Sequence, residues 1–170
     1  MNQLLKLKQK KDYQKQVLKY ITERNLKMFR ETFLELHPTD QVEVFKEMEL
    51  PLQKQLLLFL TPEEFSDIFQ GLDLEDQSEV FTHIGFQYAV AMFNYMSADD
   101  VADFLLEMEV ENADDILQSM DQEEANKVIE LMTYAPRTAG AIMTKEFIRI
   151  SVESTAAQVI EELRETAMAA

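Results

Sequence analysis

The sequence predicts an all-α fold of short helices stacked on one another, and three observations predict it. The first is an apolar stripe that returns every twelve residues. Phe65, Ile68, Phe69 and Leu72 occupy the i, i+3, i+4 and i+7 positions of an amphipathic helix. The stripe recurs downstream at Gln77, Val80, Phe81 and Ile84, at Ala89, Met92, Phe93 and Met96, and at Val101, Phe104, Leu105 and Met108. It continues at Ala113, Ile116, Leu117 and Met120 and at Ala125, Val128, Ile129 and Met132. Upstream it appears at Gln53, Leu56, Leu57 and Leu60 and at Gln41, Val44, Phe45 and Met48, with a weaker unit at Phe29, Thr32, Phe33 and Leu36. The second observation is punctuation in the same register. Thr61, Asp73, Ser97 and Asp121 stand where N-caps belong, and Glu64, Asp76, Asp100 and Glu124 follow three residues on, within reach of the cap amide. Pro38, Pro51 and Pro62 fall at helix starts, where a missing N–H costs nothing. The third is composition. Three Gly in 170 residues, where average usage gives about twelve, exclude Gly-rich phosphate loops and dinucleotide turns.

Each unit therefore reads as a helix of roughly nine residues and a tight turn. Helices this short do not persist alone. Stacked as antiparallel hairpins with a 24-residue pair period, they form an α-solenoid or compact superhelix, and residues 26–134 are assigned to it.

Residues 1–25 precede it as a basic helical arm. Tyr13, Val17 and Ile21 share one face, and the phase breaks near Asn25 before Phe29 and Phe33 resume it. Two readings stay open: a docked helix that caps the stack, or a basic arm that neutralises the acidic repeat. Residues 135–170 change pattern. Ala135 and Pro136 end the last helix, residues 138–144 are turn-like, and Phe147, Ile148, Arg149, Ile150 and Ser151 alternate as a β-branched strand does. Ser154 and Thr155 then cap a helix from about Ala156 to Met168. One strand and one helix cannot close a core, so the expectation is a second domain that the chain only begins.

Charge is distributed unevenly. Residues 1–36 carry net +5 and residues 37–170 net −21, and between Lys54 and Lys127 there are 18 Asp and Glu but no Lys or Arg. Such a surface repels nucleic acid and attracts cations or a basic partner. The chain has no Cys, which excludes disulfides, thiolate metal sites and a Cys nucleophile. The longest apolar run, residues 56–60, is far short of the ~20 residues a membrane span needs, and no secretory h-region is visible. The sequence as given reads as soluble. Enzymatic readings are poor. His37 stands at a helix start as a cap or surface residue, and His83 beside Ile84 is expected to be partly buried and hydrogen-bonded. Met96, Met108, Met120 and Met132 keep the helical phase and read as core.

Asp99 and Asp103 are four apart and share a helix face opposite Val101, Phe104 and Leu105. Two like charges at that spacing await a neutralising partner. Mg²⁺, a hard cation that keeps several waters and takes one or two carboxylates, suits such a pair. A solvated acidic face without an ion is the alternative.

A family resemblance sharpens this. Residues 139–144 (Ala-Gly-Ala-Ile-Met-Thr), the strand at Phe147 and the helix after Thr155 look like the opening of a CBS domain. Placed after an acidic helical repeat that opens at Leu36, His37 and Pro38, they resemble the cytosolic part of MgtE-type magnesium transporters and channels over roughly residues 26–168. The resemblance implies a right-handed superhelix followed by two CBS modules, a connecting helix and a dimeric transmembrane pore, on the cytoplasmic face of the membrane. It implies Mg²⁺ sensing by carboxylates where the superhelix faces the CBS modules. The matching motif here is Ser97, Asp99, Asp100, Ala102 and Asp103, which carries Asp99 and Asp103 over as ligands. The family's Glu in an earlier helix aligns with Asp67, whose shorter side chain keeps the charge. A helical interaction scaffold, like the repeats of flagellar motor switch proteins, is the second function class. The Met-Thr turn and strand favour the first.

Overall fold

The computed structural model describes residues 13–107, 113–135, 138–144 and 148–169. Residues 13–22 form helix α1. It is followed by α2 (Leu26–Phe33), α3 (Pro38–Lys46), α4 (Leu50–Leu57), α5 (Pro62–Gln70), α6 (Leu74–Phe81) and α7 (Phe86–Phe93). Then come α8 (Ala98–Glu107), α9 (Ala113–Ser119), α10 (Gln122–Met132), a 3-10 turn at Gly140–Ile142 and α11 (Ala156–Ala169). The described residues thus hold nine helices of seven to eleven residues between Leu26 and Met132, and no strand.

The punctuation works largely as read. Thr61 forms a reciprocal capping box with Glu64 at the start of α5, and Asp73 accepts the Asp76 amide at the start of α6. Pro38, Pro51 and Pro62 lie in the first turns of α3, α4 and α5. His37 caps α3, its Nδ1 accepting the Thr39 amide at 3.3 Å. Asp121 precedes α10 but makes no side-chain cap; its own N–H donates to Asn94 Oδ1 at 2.9 Å, tying α10 to the end of α7. His83 is exposed, against expectation, because it lies in the solvent-facing turn after α6.

Helices two apart in sequence lie side by side: α3 packs on α5, α5 on α7 and α7 on α9, while α8 packs most extensively on α10. Phenyl rings link these layers. Phe45 meets Phe65, Phe65 meets Phe69, and Phe69 contacts both Phe93 and Phe104. Burial follows the alternation. α5 and α7 each bury four side chains, whereas α4 buries only Leu56 and α6 only Val80. Phe69, Phe93 and Leu105 are buried as the stripe requires, but Phe81 is only partly so. Its helix is an outer one, and its ring lies over Phe93 and Phe104 rather than between layers. Ile129 departs further, at 46% exposed. α10 turns Ala125, Val128 and Leu131 inward, so Ile129 faces away. Met108 lies outside the described residues.

The stripe also contains glutamines, and the structure shows why an amide fits there. Gln53 Nε2 donates to the Phe45 carbonyl at 3.1 Å and Gln77 Nε2 to the Phe69 carbonyl at 2.9 Å, each eight residues back. Gln41 Nε2 reaches the Leu36 carbonyl at 3.1 Å. Each amide adds a donor to a carbonyl in the last turn of a helix or in the turn that follows one, where the regular i, i+4 ladder has run out; the Phe45 and Phe69 carbonyls also accept the Met48 and Leu72 amides.

The N-terminal helices dock. Val17 and Ile21 of α1 and Phe29 and Phe33 of α2 are fully buried in the common core. Arg24, with φ 53°, makes the left-handed break, and Asn25 restarts the helix by accepting the Met28 amide. Charge pairing adds to docking. Arg30 holds Glu64 through two hydrogen bonds, 2.8 and 2.6 Å, and donates to the Phe59 carbonyl at 3.1 Å. Lys46 of α3 reaches Asp73 and Asp76 at the start of α6, at 2.7 and 2.5 Å.

The Arg30–Glu64 pair makes stability pH-dependent. Burial pushes the Glu64 carboxyl up, but the Arg30 hydrogen bonds, the Thr61 amide and the Arg30 charge outweigh it, so the group sits below its ordinary 4.5. Because the folded value is depressed, the stabilisation is complete above about pH 4.5 and is lost as pH falls through the folded value. Arg30→Met is expected to cost about 1–2 kcal/mol at pH 7. In urea melts the gap from wild type should shrink as pH drops from 5 to 3; a constant gap would show that charge pairing is not its source.

After α10 the chain folds back. The 3-10 turn packs on α10, and Gly140 lies against the Tyr134 ring so closely that a Cβ would overlap it. The strand expected at Phe147–Ser151 is not formed over residues 148–151, which carry no regular structure. A strand exists through hydrogen bonds to a neighbouring strand, and none is present among the described residues; Phe147 lies outside them. α11 forms where expected, from Ala156.

Candidate metal site

The candidate ligands Asp99 and Asp103 lie on α8, whose other side faces the core. Val101, Phe104 and Leu105 are buried, and the Phe104 ring sits 5.3 Å from that of Phe69, 5.1 Å from Phe81 and 5.8 Å from Phe93. With that face locked inward, the i, i+4 pair is directed away from the core.

The two carboxylates are unequal. Asp99 is half-buried, and its Oδ1 is enclosed without a hydrogen-bond partner. A buried carboxylate oxygen without a donor carries a desolvation cost that nothing in the fold offsets. Asp103 is exposed, yet its carboxyl is raised above the ordinary 3.8, first by partial desolvation and then by the charges of Glu107, Asp100 and Asp99. Both groups are in the condition that a bound cation would relieve.

Asp100 behaves differently. Its Oδ2 accepts from Gln70 Nε2 at 2.6 Å and from the Ser97 hydroxyl at 2.6 Å. Asp67, on α5, is exposed and is not among the charges that act on Asp103. No three His, Asp or Glu of the described residues converge into a metal-holding group. The fold therefore brings Asp99 and Asp103 together but does not close a cage around them with Asp67. Asp114 and Asp115 of α9, a second acidic cluster in the sequence, are exposed; Glu111 lies outside the described residues.

A groove of about 640 Å³ between α9 and α10 is lined by Leu117, Met120, Ala125, Ile129 and Met132, with Asp114 the one titratable wall group among the described residues. Sequence reasoning paired Ser97 with Asp100 but missed the contacts of Gln70 with both, since nothing in the twelve-residue pattern pairs residues 27 and 30 apart.

By fold and surface, the protein is an acidic helical domain with one under-satisfied carboxylate face. Comparison with known proteins gives it a family. Residues 36–137 match the MgtE intracellular N domain, and the chain belongs to that family, one of transporter domains rather than enzymes. It is 33% identical over 137 residues to the magnesium transporter MgtE of Bacillus subtilis (strain 168), covering 80% of this chain and 30% of that protein. It is 30% identical over 153 residues to the magnesium transporter MgtE of Enterococcus faecalis (strain ATCC 700802 / V583), covering 89% of this chain and 34% of that protein. The chain thus spans about a third of the length of these relatives.

Among solved structures, the soluble part of a magnesium transporter superposes with a TM-score of 0.83 at 27% identity, over 94% of this chain and 63% of the other. The cytosolic domain of the Mg²⁺ channel MgtE in complex with ATP gives 0.74 at 22% identity, over 91% and 64%, and shares the fold. No helix among the described residues is long and apolar enough to cross a membrane.

Proposed function

We propose that this chain is the Mg²⁺-sensing cytosolic domain of a magnesium transporter or channel. The observation that carries the reading is the enclosed, unpartnered Oδ1 of Asp99 beside the charge-strained Asp103. Mg²⁺ keeps several waters and takes few carboxylates. Asp99 and Asp103 supply those, and carboxylates on a facing domain complete the shell, with Asp67 adding charge from α5. Residues 26–134 act as one right-handed superhelix, residues 1–25 as its basic arm, and residues 135–170 open the first of two CBS modules. These lead to a dimeric pore, with the domain on the cytoplasmic side of the membrane. Mg²⁺ bridging superhelix and CBS modules holds a compact, closed-pore state. When the ion leaves, the net −21 of residues 37–170 drives the superhelix away from its acidic neighbours.

The test is small-angle scattering of a polypeptide extended through both CBS modules, across roughly 0–20 mM Mg²⁺, the range in which weak sites titrate. The radius of gyration should fall as Mg²⁺ rises, while the 170-residue chain alone changes little. A radius that ignores Mg²⁺ in the extended protein would leave the helical interaction scaffold as the better reading.

A further inference from the structure

Asp100 stands between the two candidate ligands in sequence, yet the structure employs it elsewhere. Gln70, the last residue of α5, donates through Nε2 to Ser97 Oγ at 3.1 Å and to Asp100 Oδ2 at 2.6 Å. The Ser97 hydroxyl donates to the same carboxylate oxygen at 2.6 Å. One oxygen thus accepts two short, charge-assisted hydrogen bonds, which tie the first turn of α8 to the end of α5. Phe104, about one turn beyond Asp100, fixes the same helix through its ring contacts. A helix held at two points along its length has no freedom to rotate about its axis. The direction in which Asp99 and Asp103 face follows from that.

We infer that Gln70 and Ser97 are positioning residues for the Asp99–Asp103 cation site, acting by drawing Asp100 out of the ligand set and locking the rotation of α8. This rests on the cation-site reading above. It separates two properties of Asp100, charge and hydrogen bonding. Asn at position 100 lacks the charge but keeps an oxygen for Ser97 and Gln70, whereas Ala lacks both. Likewise Gln70→Glu keeps the side chain's length but presents an acceptor to an acceptor, and Ser97→Thr keeps the hydroxyl that Ser97→Ala removes.

The experiment titrates Mg²⁺ alone into the 170-residue chain, to roughly 50 mM, and follows the backbone amides of Asp99 and Asp103 by NMR. Wild type should show a saturable shift. Asp100→Asn and Ser97→Thr should stay within about twofold of its apparent Kd, whereas Asp100→Ala, Ser97→Ala and Gln70→Glu should weaken it at least about fivefold. Melting temperatures without Mg²⁺ separate this from simple destabilisation. If Asp100→Ala lowers the melting temperature but binds Mg²⁺ as Asp100→Asn does, the contacts only hold the fold together, and the positioning role is overturned. If wild type shows no shift at either aspartate, Asp99 and Asp103 hold no ion by themselves for Gln70 and Ser97 to position, and the inference is overturned.

Discussion

Phe93→Ala is expected to cost about 3–5 kcal/mol, the range for deleting a fully enclosed phenyl ring. Phe93 is 0% exposed, and its ring lies 6.2 Å from Phe69, 6.1 Å from Phe81 and 5.8 Å from Phe104. It belongs to α7, which packs on both α5 and α9, so collapse around the cavity would have to move several helices together. Partial relaxation is the condition under which cavity terms are largest. For a domain of this size each kcal/mol lowers the melting temperature by about 2–4 °C, so the expected fall is roughly 6–20 °C. Phe81→Ala provides the internal control. Its ring touches Phe93 and Phe104 from an outer helix and is only partly buried, and its loss should cost about half as much. A Phe93→Ala penalty under about 1 kcal/mol in denaturant melts would mean that the stripe does not carry the core.

The second large effect concerns the sensor. In a polypeptide extended through the two CBS modules proposed above, Asp99→Ala/Asp103→Ala should raise the Mg²⁺ concentration at half-compaction by at least about tenfold. An ion shifts a conformational equilibrium only by its differential affinity, and moving populations from 1:99 to 99:1 takes ~5.5 kcal/mol. Weak hydrated sites reach that total only by acting together, so losing two protein carboxylates removes a large share. A tenfold change corresponds to ~1.4 kcal/mol, a modest demand on two ligands. Net charge also changes by two in this variant. Asp114→Ala/Asp115→Ala alters charge equally on the exposed start of α9 and should move the midpoint less than about twofold. Equal shifts in the two double mutants would reduce the sensor to bulk electrostatics and remove Asp99 and Asp103 as ligands.

How far the sequence reached depends on the range of the interaction involved. The helices, their lengths and two of the four expected caps, Thr61 and Asp73, were legible, because each depends on contacts within about four residues. The Thr61–Glu64 capping box, the prolines of α3, α4 and α5 and the phase break at Asn25 are all of that kind. Asp99 and Asp103 were legible as a pair for the same reason, since i, i+4 geometry is local and the motif around them is contiguous.

What the tertiary structure decided is everything that requires two elements to meet. The twelve-residue stripe is nearly uniform, yet packing makes α5 and α7 inner helices and α4 and α6 outer ones, so equivalent positions such as Phe69 and Phe81 end in different environments. The glutamines at 41, 53 and 77 looked like weak stripe members until their amides were placed on backbone carbonyls. Residues 148–151 alternate like a strand, but alternation is only a propensity and a strand needs a partner to hydrogen-bond. Asp99, Asp100 and Asp103 are chemically identical in the sequence; the fold leaves the first with an unpartnered oxygen, ties the second to Gln70 and Ser97 and surrounds the third with like charge. Local periodicity determined which residues become helix and which share a face. The packing of α5 against α7, and the contacts of Phe104 and Asp100 on α8, determined which carboxylates are hydrogen-bonded and which are not, because charge and burial depend on neighbours that lie far away in the chain.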